Sequence, residues 1–305
     1  MKRNYVIVLF IFLSCLFANA QELNVATYNI RVDKTEDVCK GNGWSKRCPK
    51  LCDIIKFHNF HIFGAQEVEQ HQLNDMLGFL KKYKYIGIAR EDGNKEGEFV
   101  PVFYRPDIFQ LVDSGNFWLS ETPDRPSKGW DAVCYRICTW GKFKTKDNAE
   151  FYYFNTHLDH RGVIARRQSA HLIVSKIREI AGDTPVILTG DFNSGDDTEV
   201  YRIFKDSGII TDSYDMASFR LAWMGTANNF DPNIVTENRL DYIFVSPSFV
   251  VQQYGVLTDT YRDITTTREI TLPNFPETIV FRDCVIRIPS DHYPVKVVIK
   301  FPVGH

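Results

Sequence analysis

Apolar and polar residues alternate from Leu23 to Ile30, the pattern of a strand with two unlike faces. Further strands are expected at His61 to Ala65, Tyr85 to Ala89, Phe99 to Arg105, Phe109 to Trp118, Val133 to Phe143, Phe151 to Thr156, Leu240 to Val245, Val250 to Leu257 and Val295 to Phe301. Thr184 to Leu188 is a β-branched apolar run, read as a buried strand, and Gly190 beyond it lets the backbone turn. Helical spacing puts Leu51, Ile54, Ile55 and His58 on one face of a helix that Pro49 opens as its first residue. A second helix carries Leu73, Met76, Leu77 and Leu80, and a longer one Ala165, Leu172, Ile173, Ile177 and Ile180. Strands in hairpin order with a few helices between them predict an α/β fold: a four-layered sandwich of two packed, mainly antiparallel sheets flanked by helices.

The first 20 residues break this pattern. Lys2 and Arg3 precede an apolar run from Tyr5 to Phe17, and Ala18-Asn19-Ala20 fits a small-x-small cleavage site, so 1–20 reads as a signal peptide. An exported, periplasmic or extracellular protein is expected, with 21–305 as a single domain and no transmembrane anchor. Lipid attachment at Cys15 is the rival reading, disfavoured by the bulk of Phe12. With Lys2 and Arg3 gone, 36 basic residues become 34 against 38 acidic ones, a net charge of about −4. A field that draws in polyanions from a distance is thereby excluded, and phosphate binding has to be local.

Six cysteines remain after the leader. Export permits disulfides, and Cys39 with Cys48 or Cys52 could close a short loop. Cys134 and Cys138, four apart on one strand, stand roughly 13 Å from each other, too far to pair. A zinc site from the two C-x-x-x-C pairs is conceivable, although the spacing is not C-x-x-C. Buried free thiols are the simpler expectation for several of the six.

Polar residues gather at the strand ends, where loops on a packed scaffold carry function. Asn29 ends the first strand and Glu67 the second; His157 and Asp159 follow Asn155-Thr156. Asp191 and Asn193 follow Leu188-Thr189-Gly190, Asp241 opens a strand, and Asp291-His292 stands just before the last. Alternation points Asp191 and Asn193 the same way and Phe192 back to the core; an Asx turn is the plain alternative. Oxygen ligands from Glu67, Asn29 and Asp291 suit a hard divalent cation, Mg2+ first and Mn2+ second. Such an ion with a His-carboxylate pair suits attack of water on a phosphoester.

Thr27-Tyr28-Asn29-Ile30-Arg31, Gly64-Ala65-Gln66-Glu67, Asn155-Thr156-His157, Thr189-Gly190-Asp191-Phe192-Asn193, Leu240-Asp241-Tyr242-Ile243 and Ser290-Asp291-His292-Tyr293-Pro294-Val295 together resemble the ordered motifs of the endonuclease/exonuclease/phosphatase superfamily, which has the DNase I-like fold. The resemblance implies Glu67 as principal metal ligand, with Asn29 and Asp291 nearby. It implies that Asp191 and Asn193 position the water and the phosphate, and that His292, backed by Asp241, contacts the scissile phosphate. His157 would be a second active-site histidine, with Glu98 as a candidate partner. Phe117 to Pro123, Gly129 to Ala132 and Arg136 to Trp140 are similar to a secreted bacterial branch whose catalytic domain resembles that of the deadenylases. Arg136, Arg161 and Arg166 could clamp phosphate and Trp130 could stack a ring. Specificity is expected in the loop from Asp215 to Arg239, with Asn228 as a substrate contact. The expected protein is a monomeric phosphodiesterase, a nuclease first. The alternatives are a phosphatase or phosphodiesterase for a small phosphorylated metabolite or a phospholipid headgroup and, from another class, a phosphate-binding module without chemistry.

Overall fold

The computed structural model describes residues 22–264, 274 and 282–301, so the expected leader lies outside the described residues. In chain order the elements begin with β1 (Glu22–Asn29), α1 (Thr35–Cys39), α2 (Trp44–Phe57), β2 (Ile62–Gln66), α3 (Gln70–Phe79), β3 (Lys84–Ile86), β4 (Val102–Tyr104) and β5 (Phe109–Trp118). They continue with β6 (Ile137–Thr145), β7 (Glu150–His157), α4 (Val163–Ala181), β8 (Val186–Asp191), α5 (Glu199–Lys205), β9 (Thr211–Asp212), α6 (Ser213–Met216) and β10 (Phe219–Leu221). Last come β11 (Asp241–Val245), β12 (Val250–Val256), β13 (Tyr261–Ile264), β14 (Cys284–Arg287) and β15 (Val295–Lys300). One sheet has the order β10-β12-β15-β1-β2-β4-β3 and the other β5-β6-β7-β8-β11-β9; β13 and β14 form a separate hairpin.

Alternation along single strands builds the layers. In β1, Leu23 and Val25 face the space between the sheets, whereas Ala26 and Tyr28 pack on Leu51 and Ile55 of α2 and Leu73 and Met76 of α3. In the second sheet Tyr153, Ile187 and Ile243 face inward, while Phe154, Leu188 and Phe244 meet Ile173 and Ile177 of α4 and Phe204 of α5. Three apolar layers thus separate helices, sheet, sheet and helices, which is the four-layered arrangement expected. Among the described residues, no helix is long and apolar enough to cross a membrane.

Four local expectations are corrected. Pro49 lies inside α2, which starts five residues earlier; the indole of Trp44 is buried and bonds Asp75 of α3 at 2.9 Å, anchoring the turns ahead of the proline. The strand expected from Val133 starts at Ile137, because the N–H groups of Val133 and Cys134 are given to the Asp159 carboxylate instead. All six cysteines are free: Cys39 is exposed, whereas Cys48 and Cys52 are buried in α2, so the suggested loop closure is not made. Cys48 and Cys52 belong to one outer layer and Cys138 to the other, which rules out a zinc site shared by the two pairs.

Candidate active site

The inward-facing positions grade from apolar to polar along each strand. Above Val25, Tyr153 and Ile187 the same faces carry Thr27, Asn155 and Thr189, and one step further Asn29, His157 and Asp191. Gln66 of β2 donates to Thr27 Oγ1 at 3.0 Å and to Asn155 Oδ1 at 2.7 Å; Thr189 donates to the same Asn155 oxygen at 3.1 Å. Asn155 in turn donates to the carbonyls of Ala65 and Pro101. This buried amide layer is the floor of the site, cross-linked through both amide NH2 groups, while Gln66 Oε1 has no hydrogen-bond partner. Gly64 is required beneath it, since a Cβ there would run into the Asn155 side chain.

Register then sets the neighbours. Asp191 ends β8 opposite His157 of β7 and opposite Asp241 of β11. Asn29, fully buried, donates its amide to Glu67 Oε1 at 3.1 Å and to Asp191 Oδ2 at 3.0 Å, joining the two sheets. Glu67 reaches this point because its backbone is left-handed (φ 60°), and Val32 N–H holds its other oxygen at 3.0 Å. Asn193 is also left-handed (φ 45°), so it meets the site by a turn rather than by simple alternation. That turn is an Asx turn, with Asn193 N–H donating to Asp191 Oδ1 at 2.9 Å. The Asx-turn and functional readings of this stretch therefore describe one geometry. Phe192 points into the outer layer against Phe204, Tyr242 and Phe244, as alternation requires.

The amide of Asn193 donates to Leu158 O and approaches His157 Nε2, each at 3.0 Å. The carbonyl fixes which atom is nitrogen, so Nε2 accepts and the His157 proton sits on Nδ1. Burial, followed by the Arg136 and Arg90 charges, holds His157 neutral, well below the usual histidine range. His292 is the opposite case. Burial opposes its charge, but Asp241, 2.8 Å from Nδ1, and Asp191, 3.8 Å from Nε2, hold the ring protonated well above that range. Burial and the adjacent Asp241 push the Asp191 carboxyl up to about 7. Glu67 is held below the usual carboxylate range: burial works against its charge, and the bonds from Val32 and Asn29 outweigh it. Asp291 is raised by burial and by the Glu67 charge, and Arg31 pairs with it at 3.1 Å.

The structure thus gathers Asn29, Glu67, His157, Asp191, Asn193, Asp241, Asp291 and His292 at one end of the inter-sheet layer. Asn228 joins them: its N–H donates to Asp291 O at 2.7 Å, and its buried side-chain NH2 is unsatisfied. Glu98 does not partner His157; it forms a two-point pair with Arg90 at 2.8 and 2.9 Å, the geometry an Arg fork favours. Arg136 is buried beside this pair and donates to His160 at 3.1 Å, with Asp159 at 3.7 Å, while its Nε and Nη1 lack hydrogen-bond partners. Arg166 bonds Asp159 O, and Arg161 serves through its N–H on Asp159 Oδ1. Trp130 stands in a left-handed turn, its N–H on the Glu121 carboxylate. No role is legible in the sequence for Arg47, or for Ser290 beyond its place at the head of the Ser290-Asp291-His292 motif; Ser290 donates to Asn29 O at 2.7 Å.

The donor set fits a hard divalent cation. Asp191 and Asp241 offer carboxylate oxygens within 4.8 Å of each other, Asp241 Oδ1 has no hydrogen-bond partner, and Glu67 shares the Asn29 amide with Asp191. A bound cation would supply positive charge to a phosphoryl oxygen and relieve the crowding of carboxylates. Around it, protonated His292 and the unpartnered Asn228 NH2 could donate to phosphate oxygens, and Asp191 could accept a water proton.

A site of this kind defines a phosphoester hydrolase. A model of the endonuclease/exonuclease/phosphatase family matches residues 26–292, and the chain belongs to that family. It is similar to a mannosyl-6-phosphatase of Bacteroides thetaiotaomicron, with 48% identity, TM-score 0.84, and 92% of this chain and 100% of that one covered. It is also similar to a further family member of the same species, at 47% identity and TM-score 0.86, covering 93% and 100%. The human nocturnin catalytic domain, at 19% identity and TM-score 0.66 over 92% and 93%, shares the fold.

Proposed function

We propose that this protein is an exported, magnesium-dependent phosphatase that releases phosphate from a phosphorylated sugar, with Mn2+ as the alternative ion. The observation that carries the reading is the polar set around Asp191, whose carboxylate accepts from Asn29 at 3.0 Å, lies 3.6 Å from His157 Nε2 and 3.8 Å from His292 Nε2, and faces Asp241. It presents a general base, two phosphate donors and a hard-cation donor set at one point. The sugar-phosphate substrate is supported by the 48% identity to a mannosyl-6-phosphatase. It is supported also by the acidic balance of the chain, which does not favour a polyanion. Glu67, Asn29 and Asp291 are the proposed metal side, and Arg136, Trp130 and Asn228 the substrate side.

A nuclease is the second reading, favoured by the DNase I-like arrangement of the motifs. The two separate in a panel of mannose 6-phosphate, glucose 6-phosphate, bis(p-nitrophenyl) phosphate and single-stranded DNA with Mg2+, Mn2+ or EDTA. The sugar phosphates should release phosphate with added metal and not with EDTA. Cleavage of DNA with both sugar phosphates untouched would replace this reading by the nuclease.

A further inference from the structure

Arg47 of α2 is fully buried and is not among the motif residues. Its guanidinium donates only to backbone carbonyls: Nε to Asn42 at 2.7 Å, Nη1 to Ile30 at 2.7 Å and to Pro289 at 2.9 Å, and Nη2 to Arg31 at 3.1 Å. Among the described residues no ion pair with a carboxylate holds it, and burial pushes its pKa down. Its faces are covered by Trp44 and Phe230, with ring centroids 5.3 and 5.4 Å away. Burying a charge with no counter-charge is costly, and an apolar side chain would fill the volume more cheaply. What a guanidinium adds is a planar fork that fixes several acceptors in one geometry.

The acceptors are informative. Ile30 and Arg31 directly follow Asn29, and Pro289 directly precedes Ser290-Asp291-His292. One side chain therefore clamps the segment that continues β1 beyond Asn29 to the loop that carries Asp291, which Ser290 also ties through Asn29 O. Phe230, stacked on the same guanidinium, lies two residues after Asn228, which is bonded to Asp291 O. Three of the tied residues are left-handed: Arg31 (φ 61°), Asn229 (φ 51°) and Phe230 (φ 59°). Non-glycine residues keep such conformations only where the surroundings over-determine them.

We propose that Arg47 is a positioning residue that sets the spacing between the Asn29–Glu67 side and the Asp291–His292 side of the metal-binding set. The inference rests on the metal reading of Glu67, Asn29 and Asp291. Arg47 touches neither metal nor substrate; it acts through the backbone of both segments, as outer-shell partners of metal ligands do.

The test is Mn2+ binding by calorimetry on the whole chain, for wild type, Arg47→Lys and Phe230→Leu, with circular dichroism to show that each is folded. Lysine keeps the charge but cannot span four carbonyls. Phe230→Leu keeps the four bonds and removes one aromatic face. Folded Arg47→Lys should bind Mn2+ about 10–100-fold more weakly, the range for outer-shell substitutions at metal sites. Phe230→Leu should move the same way by less. Wild-type affinity in folded Arg47→Lys would overturn the inference and leave the metal reading standing. If Arg47→Lys does not fold, unchanged affinity in Phe230→Leu would overturn it. Wild-type protein that binds no Mn2+ would remove the metal reading, and the inference with it.

Discussion

Asp241 Oδ2 stands 2.8 Å from His292 Nδ1 with no exposure to solvent, so one histidine in the site is held by a dedicated anion. The partnership fixes Nδ1–H and leaves Nε2 facing Asp191. Asp241→Asn should lower kcat by about 10²–10⁴-fold, the range for loss of a positioned acid or base, with KM little changed. By NMR, the His292 pKa should fall toward the ordinary histidine value. An unchanged titration of His292 would show that Asp241 does not hold its charge.

Asp191 should trade stability for function. Its carboxyl is pushed up to about 7 in the folded chain, against an ordinary value of 3.8, so between those pH values the folded state binds more proton than the unfolded one. Stability from this group is complete below about 4 and is lost as pH rises toward 7. Asp191→Asn removes the titrating group, so between pH 5 and pH 7.5 the melting temperature of the metal-free variant should fall less than that of metal-free wild type, while activity is lost. Thermal melts with EDTA check the sign.

His61 gives the opposite slope, away from the site. Its Nδ1 accepts the Asn24 N–H at 3.2 Å, so the ring can be protonated only by giving up that bond. Burial, then the Arg105 and Lys296 charges, push its pKa down to about 4. The unfolded chain takes this proton near 6.5, so stability from His61 is present above 6.5 and is lost as pH falls toward 4. Between pH 7 and pH 5 the urea midpoint of His61→Gln should gain on that of wild type, since the opposite Asp191 contribution is common to both.

Gly64→Ala should destabilise by about 1–3 kcal/mol, as overpacking does, because the added methyl meets Asn155 and Thr189 in the amide floor. Chemical denaturation measures the loss, and a wild-type midpoint would show that the floor can yield.

The layers were legible in the sequence because period-two alternation survives in β1, β7, β8 and β11 and decides which residues face which core. The site was legible as strand ends for the same reason: Asn29, His157 and Asp191 are the next inward positions after Thr27, Asn155 and Thr189. What alternation cannot express was read differently. Asn193 enters through a left-handed turn, and the Glu98 pairing is decided by Arg90, a residue no motif contains. Pro49 misled because a proline favours a first turn locally, whereas Trp44, docked on Asp75, extends the helix before it. Arg47 escaped notice since its partners are backbone carbonyls far apart in the chain, which leave no pattern in side-chain types.

Phosphate release from mannose 6-phosphate, followed with Mg2+ for wild type, Asp191→Ala and His292→Ala, tests the central claim most directly. Metal-dependent turnover by wild type is expected, with a loss of at least about 100-fold in both folded variants. Turnover that persists in both variants, or in EDTA, would contradict it.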